Sequence, residues 1–164
     1  MSKEIELRAY QDGDDIVAIA DLFFESIHAI DDAIYSPEQK AAWAPKPPKY
    51  DYWATHVKPS KTLLAFNEDR LVGFMELEIN ALDRTGYIDC FYVHPEFQGQ
   101  GVGKALYGAT LSRALQHQLT TLFVDASLVA RPVFERQGFQ VTKQNEVIRK
   151  GVSLTNFSME LALI

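Results

Sequence analysis

Apolar and polar residues follow two different periods along the chain, and each period predicts a type of element. Residues 5–9 alternate apolar and charged side chains, which predicts a half-buried first strand. Carboxylates at 12–15 offer caps for a helix whose apolar positions recur at helical spacing over 16–27. A second, short helix is predicted after Ser36, a serine cap followed by proline, and should end near Trp43.

The rest of the chain is rich in predicted strands. The prolines of segment 45–48 should stop regular structure. The pattern then predicts strands at 62–66, 71–79 and 87–93, a helix at 101–118, a strand at 122–126, a helix at 130–137, and two strands joined at Lys150-Gly151. Strands followed by alternating helices and strands indicate an α/β domain with a mixed sheet and helices on its faces.

Composition narrows the class of protein. The 164 residues suit one domain, 1–164, with a full core. A formal charge of −6 argues against nucleic acid or an anionic membrane as a partner. Cys90 is the single cysteine and cannot form an intrachain disulfide, and no apolar run resembles a signal peptide or a membrane span. We therefore expect a cytoplasmic location.

A glycine-rich turn is the most informative segment. A mostly apolar strand, 87–93, leads into glycines at 99, 101 and 103, and these lead into a helix. Glycine tolerates positive φ and lets a ligand approach the backbone. The first N–H groups of a helix have no internal partner, and with the helix dipole they favour an anion by roughly 0.3–1 kcal/mol per charge. The turn is therefore predicted to hold phosphates.

Two common phosphate-binding motifs do not fit this turn. A P-loop requires glycine where Gln98 stands and serine or threonine where Ala105 stands. The dinucleotide fingerprint requires glycine where Lys104 or Leu106 stands. A turn that merely joins strand to helix remains the alternative at this point.

Two segments resemble the GCN5-related N-acetyltransferase (GNAT) superfamily. Residues 93–103 are similar to its Gln/Arg-x-x-Gly-x-Gly/Ala signature after a Val-x-Pro strand end, and residues 130–139 to its Ala-x-x-x-Tyr-Glu-Lys-x-Gly-Phe segment. The resemblance extends over about 4–163 and points to a bacterial branch. It implies a single-domain, mostly antiparallel mixed sheet with a splayed central strand pair and helices on both faces. It also implies direct acetyl transfer from acetyl-CoA to a primary amine in a ternary complex.

The resemblance also implies the cofactor contacts. The strand at Phe91, Tyr92 and Val93 would pair with the pantetheine arm, and the Val93 N–H would stabilise the oxyanion. The pyrophosphate would be held by Gln98, Gly99, Gln100, Gly101, Val102, Gly103 and Lys104. Ser127 stands where many members have an asparagine. Phe134 replaces the usual tyrosine acid, so we expect it to pack against the cofactor without proton chemistry.

Asp89 is the first candidate for the general base. It interrupts an apolar strand, where burial would raise the pKa of a carboxyl group toward a useful value. It shares strand parity with Phe91 and Val93, two residues beyond the place of the family's glutamate at Tyr87. The alternative is a structural carboxylate that hydrogen-bonds locally or pairs with an arginine.

Other side chains are weaker candidates. A covalent acetyl-cysteine at Cys90 lacks an evident histidine partner, and its strand parity opposes that of Asp89. The four histidines show no metal spacing, so we expect no metal. Glu76 and Glu78 alternate with apolar residues as a solvated strand face would. The acceptor contacts predicted are His28, Trp43, Glu76 and Glu78.

Three functions remain open from the sequence. The first is an acetyltransferase for a small-molecule amine, and the second acts on protein N-termini or lysines. The third is a CoA-binding regulatory module without catalysis, which Phe134 favours and Asp89 opposes. Exposed strands in the tail also allow a homodimer.

Overall fold

The computed structural model describes residues 4–163, which form seven strands and five α-helices. In chain order these are β1 (Glu6–Ala9), α1 (Ile16–His28), α2 (Pro37–Trp43), α3 (Tyr50–His56), β2 (Thr62–Asn67), β3 (Arg70–Asn80), β4 (Thr85–Val93), α4 (Val102–Gln116), β5 (Thr121–Ser127), α5 (Ala130–Arg136), β6 (Gln140–Arg149) and β7 (Val152–Ala162). A 3₁₀ turn, Pro95–Phe97, precedes α4.

The strands form one sheet in the order β1-β2-β3-β4-β5-β7-β6. Every neighbouring pair is antiparallel except β4 and β5, which are parallel. This confirms the predicted mixed, mostly antiparallel sheet. β6 is an edge strand of the described sheet, and the homodimer allowed by the sequence would pair there.

Helices cover both faces of the sheet. Phe74 and Met75 are neighbours on β3 and point to opposite faces, because strand side chains alternate. Met75 packs in a core with α4 and α5, and Phe74 packs in a second core with α1 and α3. None of the helices within 4–163 is long and apolar enough to cross a bilayer.

Helices α1 and α2 begin at the capping residues that the sequence predicts. Asp15 accepts a hydrogen bond from Ala18 N at 3.1 Å, and Ser36 forms a full capping box with Gln39. Regular structure stops at the prolines of 45–48, as predicted, but α3 follows them and was not predicted. Trp53 anchors that short helix, with 3 % of its surface exposed.

The central strands separate after a short paired stretch. β4 pairs with β5 only over residues 85–88 and 121–124. Beyond that point β4 stays with β3, while β5 stays with β7 through Ser127. One edge of β4 is therefore open from Asp89 to Val93.

A β-bulge lies at the point of separation. Glu76 is opposite Cys90 and Leu77 is opposite Ile88, which leaves Asp89 as the extra residue of β4. A bulge reverses the alternation of side chains beyond it. The predicted shared parity of Asp89 with Phe91 and Val93 was therefore wrong, and so was its predicted opposition to Cys90.

Candidate active site

The glycine-rich turn presents its backbone to open space. Gly99 and Gly101 have φ of 76° and 88°, and Gly101 is the residue from which α4 begins. A Cβ built on either glycine would meet no atom within 4 Å. A Cβ on Gly103 would lie 3.4 Å from the Phe91 ring, so the first turn of α4 packs closely on β4. The turn thus offers a bare cradle at a helix N-terminus, which suits a phosphate.

Side chains around the cradle fix its shape. Gln98 Nε2 donates to Val93 O at 3.4 Å, and Gln100 Nε2 donates to Glu96 O at 2.9 Å. His94 accepts from Glu96 N at 3.1 Å and lies 2.7 Å from a carboxylate oxygen of Glu25 on α1. Sequence reasoning assigned no role to His94, which joins the turn to α1. Lys104 is exposed on the first turn of α4.

The Val93 amide faces the open edge of β4. His94 N donates to Val72 O at 2.8 Å, on the side of β3. Amides of successive strand residues point to opposite sides, so those of Val93 and Phe91 point away from β3. That side is the gap left by β5. The backbone at 91–93 can therefore pair with an extended ligand.

Phe134 and Ser127, two of the predicted cofactor contacts, both contact other residues of the protein. Phe134 is 1 % exposed and packs between the rings of Phe91, at 5.9 Å, and Phe139, at 5.0 Å. It therefore offers almost no surface to a ligand, contrary to the expected packing against the cofactor. The Ser127 hydroxyl accepts a hydrogen bond from Ala130 N at 3.1 Å, at the start of α5. Ser127 borders the gap because β4 does not pair with it.

A pocket of about 260 Å³ lies on the α1–α3 side of β4. Six aromatic rings line it, and its charged lining residues are Asp89, Lys49 and Arg149. Its walls are Phe23, Phe24, Ala42, Trp43, Ala44, Pro45, Pro48, Lys49, Tyr52, Trp53, Asp89, Cys90, Tyr92 and Arg149. Trp43 therefore lies at this pocket, and its contact with the acceptor stays a prediction.

Of the four predicted acceptor contacts, His28, Glu76 and Glu78 do not line this pocket. His28 Nε2 lies 2.8 Å from Ala44 O and stacks on Phe24, so it positions the chain after α2. Glu78 forms an exposed ion pair with Lys61 at 3.2 Å. Both placements correct the sequence-based expectation, which had only helix and strand membership to rely on.

A cluster of ionisable side chains lies behind Asp89. His56 Nε2 is 2.5 Å from Glu76 Oε1 and 3.1 Å from Asp89 Oδ2. The other oxygen of Glu76 accepts from the Thr62 hydroxyl at 2.6 Å, and Tyr52 OH lies 3.2 Å from His56 Nδ1. Glu76 has no exposed surface, which corrects the prediction of a solvated strand face. The E-x-E pattern misled because the bulge at Asp89 and the cover by α3 are not local features.

His56 is the principal site residue that sequence reasoning missed. The sequence does hold a sign of its position. His56 follows Tyr52 by four residues and Trp53 by three, and these spacings place side chains on one face of a helix. Without α3 in the prediction, that spacing carried no meaning.

The charges of the cluster shift one another's pKa values. Hydrogen bonds that His56 donates to Asp89 and Glu76 raise the pKa of His56 from 6.5 to about 9, so the imidazolium persists at neutral pH. The same bond lowers the pKa of Asp89 below 3.8, which reverses the predicted rise. The Cys90 thiol lies 3.8 Å from His56 Nε2, but burial raises its pKa well above 9.0. Cys90 thus has a neighbouring histidine, contrary to expectation, and still lacks an activated thiolate.

These four side chains also have the donor types of a metal site. Ligand atoms of His56, Glu76, Asp89 and Cys90 lie within 4.8 Å of one another. A metal ion would have to displace the proton that His56 shares with two carboxylates, and it would need the Cys90 thiolate. The absence of a metal from this cluster therefore stays a prediction.

An open strand edge, a bare helix N-terminus and an adjoining pocket are the features expected of a CoA-dependent acyltransferase. The chain matches the model of the acetyltransferase (GNAT) domain over residues 31–161. It is 34 % identical over 155 residues to an uncharacterized N-acetyltransferase, YafP, of Escherichia coli K12, covering 94 % of each chain.

Solved structures of N-acetyltransferases share the fold of this chain. A GCN5-related N-acetyltransferase from Rhodopseudomonas palustris is 31 % identical with a TM-score of 0.86, covering 99 % of this chain and 98 % of its own. The PaiA N-acetyltransferase of Thermoplasma acidophilum, solved with coenzyme A, shares the fold at 21 % identity and a TM-score of 0.76, covering 97 % of this chain and 99 % of its own. The chain belongs to the GNAT acetyltransferase family and is an N-acetyltransferase.

Proposed function

We propose that the protein transfers an acetyl group from acetyl-CoA to a primary amine of a small molecule, by direct attack in a ternary complex. One observation carries the proposal. The open edge of β4 lies between the glycine cradle and the pocket, so both substrates would meet near Val93. No covalent enzyme intermediate is required, because the two reactants reach the same strand from its two sides.

The residues of β4 and α4 suit the cofactor. Acetyl-CoA supplies the acyl group as a thioester. The backbone at 91–93 would pair with its arm, and the N–H groups of 98–104 would hold its pyrophosphate. The Val93 N–H faces the gap and can donate to a carbonyl oxygen that gains negative charge.

Asp89 would receive the proton of the attacking amine. A lysine-like ammonium has a pKa of about 10.4, whereas the pKa of Asp89 lies below 3.8. Deprotonation of the free ammonium by Asp89 is therefore strongly uphill. The attacking species is therefore the neutral amine, whose first proton has been lost to solvent. Asp89 would accept a hydrogen bond from this amine and take its second proton as the nitrogen bonds to carbon, when that proton becomes far more acidic; the proton then passes to the departing CoA thiolate.

His56 is a positioning residue for Asp89. Its imidazolium holds one oxygen of Asp89 at 3.1 Å, while the buried Glu76 holds the imidazolium from behind. This arrangement resembles the logic of a catalytic triad, in which one group orients the next. It leaves the second oxygen of Asp89 for the amine.

The pocket favours a small acceptor over a protein. Its volume of about 260 Å³ lies below the 300–1,000 Å³ typical of drug-sized ligands. The chain after α2 and the start of α3 form part of its wall.

The test compares turnover with cofactor affinity in Asp89→Asn. Thiol release should fall about 100-fold or more, while the CoA dissociation constant stays within twofold. Asp69→Asn, an exposed carboxylate in the β2–β3 turn, serves as the matched control and should leave both unchanged. Equal loss of turnover and affinity would make Asp89 structural, and unchanged turnover would remove it from the mechanism. Failure of wild type to bind CoA would contradict the function itself, and turnover only with peptides would favour the protein acceptor.

A further inference from the structure

The acceptor pocket carries two cations without an anionic partner. Lys49 immediately precedes α3 and Arg149 ends β6, and both line the pocket. Neither side chain forms an ion pair or hydrogen bond within residues 4–163. The whole chain has a formal net charge of −6, so the two unpaired positive charges at this pocket are opposite in sign to the net charge of the protein.

Lys49 lies apart from the Asp89–His56 pair. Lys49 precedes the first residue of α3, and His56 is the last residue of that helix. At about 1.5 Å per residue, Lys49 and His56 are separated by about 10 Å along the axis. Tyr52 spans the interval, since its hydroxyl reaches His56 Nδ1 at 3.2 Å.

Arg149 enters the same pocket from the end of β6. Burial raises the pKa of Tyr52 to about 12, and the positive charge of Arg149 opposes part of that rise. Arg149 therefore acts on the Tyr52 hydroxyl, which reaches towards His56, whereas Lys49 lies at the opposite end of α3. The pocket wall thus combines one carboxylate and two cations with aromatic surface.

The carboxylate and the two cations of the pocket suit different groups of one ligand. Asp89 can accept a hydrogen bond from an amine. Arginine and lysine side chains together suit a carboxylate or a phosphate, which they bind through charge-assisted hydrogen bonds. Polyamines and aminoglycosides fit poorly, because their additional positive charges would lie beside Lys49 and Arg149.

We infer that the acceptor is a small primary amine that also carries a carboxylate or phosphate group. Its amine lies at Asp89, and its anionic group lies against Lys49 and Arg149. This inference rests on the proposed function and narrows its acceptor from any small amine to an anionic one.

The test measures binding of matched amine pairs to the CoA-saturated protein by calorimetry. The pairs are phenylalanine with phenethylamine, γ-aminobutyrate with propylamine, and phosphoethanolamine with ethanolamine. At least one anionic member should bind tenfold or more tightly than its partner that lacks the anionic group, and the same member should be acetylated with the lower KM. Arg149→Gln and Lys49→Gln should each reduce that preference by weakening binding of the anionic member, whereas the partner amine should bind no more weakly than it does to wild type.

Lys143→Gln is the control, because Lys143 is an exposed cation of β6 outside the pocket and its loss should change nothing. Equal binding within all three pairs, tighter binding of the amines that lack the anion, or no binding of any anionic amine would overturn the inference. If the preference for the anionic amine came only from the overall charge of the protein, Arg149→Gln and Lys143→Gln would reduce it equally, and that result would also overturn the inference. CoA saturation is verified first, so failure of cofactor binding is recognised separately as failure of the proposed function.

Discussion

Replacement of His56 by glutamine tests the ionic cluster behind the pocket. The imidazolium contacts Glu76, which has no exposed surface, and Asp89, whose side chain is 29 % exposed. Glutamine keeps a hydrogen-bond donor but removes the positive charge. Glu76 would then be a buried carboxylate without a positively charged partner, although the Thr62 hydroxyl still donates to it.

The expected loss of stability is about 3 kcal/mol. A rise in the pKa of His56 from 6.5 to about 9 corresponds to roughly 3 kcal/mol of preference for the protonated form in the folded state. Removing one partner of a buried ion pair costs about 3–5 kcal/mol, and partial exposure of Asp89 places this cluster at the low end. For a chain of this size that is a fall in Tm of about 6–12 °C.

The dependence on pH has a defined direction. Because folding raises the pKa of His56, its contribution is complete below pH 6.5 and is lost as the pH rises through about 9. Because folding lowers the pKa of Asp89, the same pair also weakens as the pH falls below 3.8. The difference in Tm between wild type and His56→Gln should therefore be greatest near pH 5–6.5. The charged or titratable groups that act on His56 are Tyr52, Lys61, Glu76, Asp89 and Cys90.

Melting curves at pH 5.5, 7.5 and 10 measure this difference. His117→Gln is the control, because His117 is exposed at the end of α4 and forms no contact with the cluster. A difference that stays constant from pH 5.5 to 10, or a loss no larger than that of the control, would refute the ion-pair reading.

Three further predictions concern the turn, the core and the metal. Gly101→Ala should weaken CoA binding about tenfold by calorimetry, since a left-handed φ of 88° costs a non-glycine residue roughly 1–2 kcal/mol; unchanged affinity would contradict the cradle. Phe134→Leu should lower unfolding stability by about 1–3 kcal/mol in denaturant melts and leave CoA affinity unchanged, because the ring is buried; a selective loss of affinity would restore the cofactor contact. Equimolar Zn²⁺ or EDTA should leave Tm and turnover unchanged, and a rise in Tm with Zn²⁺ would show that His56, Glu76, Asp89 and Cys90 form a metal site.

The sequence predicted those parts of the fold that depend on local patterns. The cap at Asp15, the capping box at Ser36 and the glycine turn before α4 all follow from adjacent residues. The order of strands and helices then indicated a mixed sheet, which the structure confirms. The placement of Phe91 and Val93 at the open edge needed the family resemblance, since a parallel pair that separates has no local signature.

The candidate site was less predictable because its contacts are distant in sequence. Glu76 appears solvated in an alternating strand, and only the cover by His56 and Thr62 makes its burial tolerable. Asp89 was expected to have a raised pKa because burial was visible in the pattern and its imidazolium partner was not. A one-residue bulge also changed which side chains share a face, an effect that strand periodicity cannot detect.

Thermal melting with and without acetyl-CoA tests the central claim most directly, followed by mass spectrometry of an added amine. A ligand that binds only the folded state stabilises it by about 2.7 kcal/mol at a hundred times its Kd. The account predicts a rise in Tm of about 5–11 °C and an acetylated amine. No rise at saturating acetyl-CoA would contradict the assignment of residues 98–104 to the cofactor, and with it the proposed reaction.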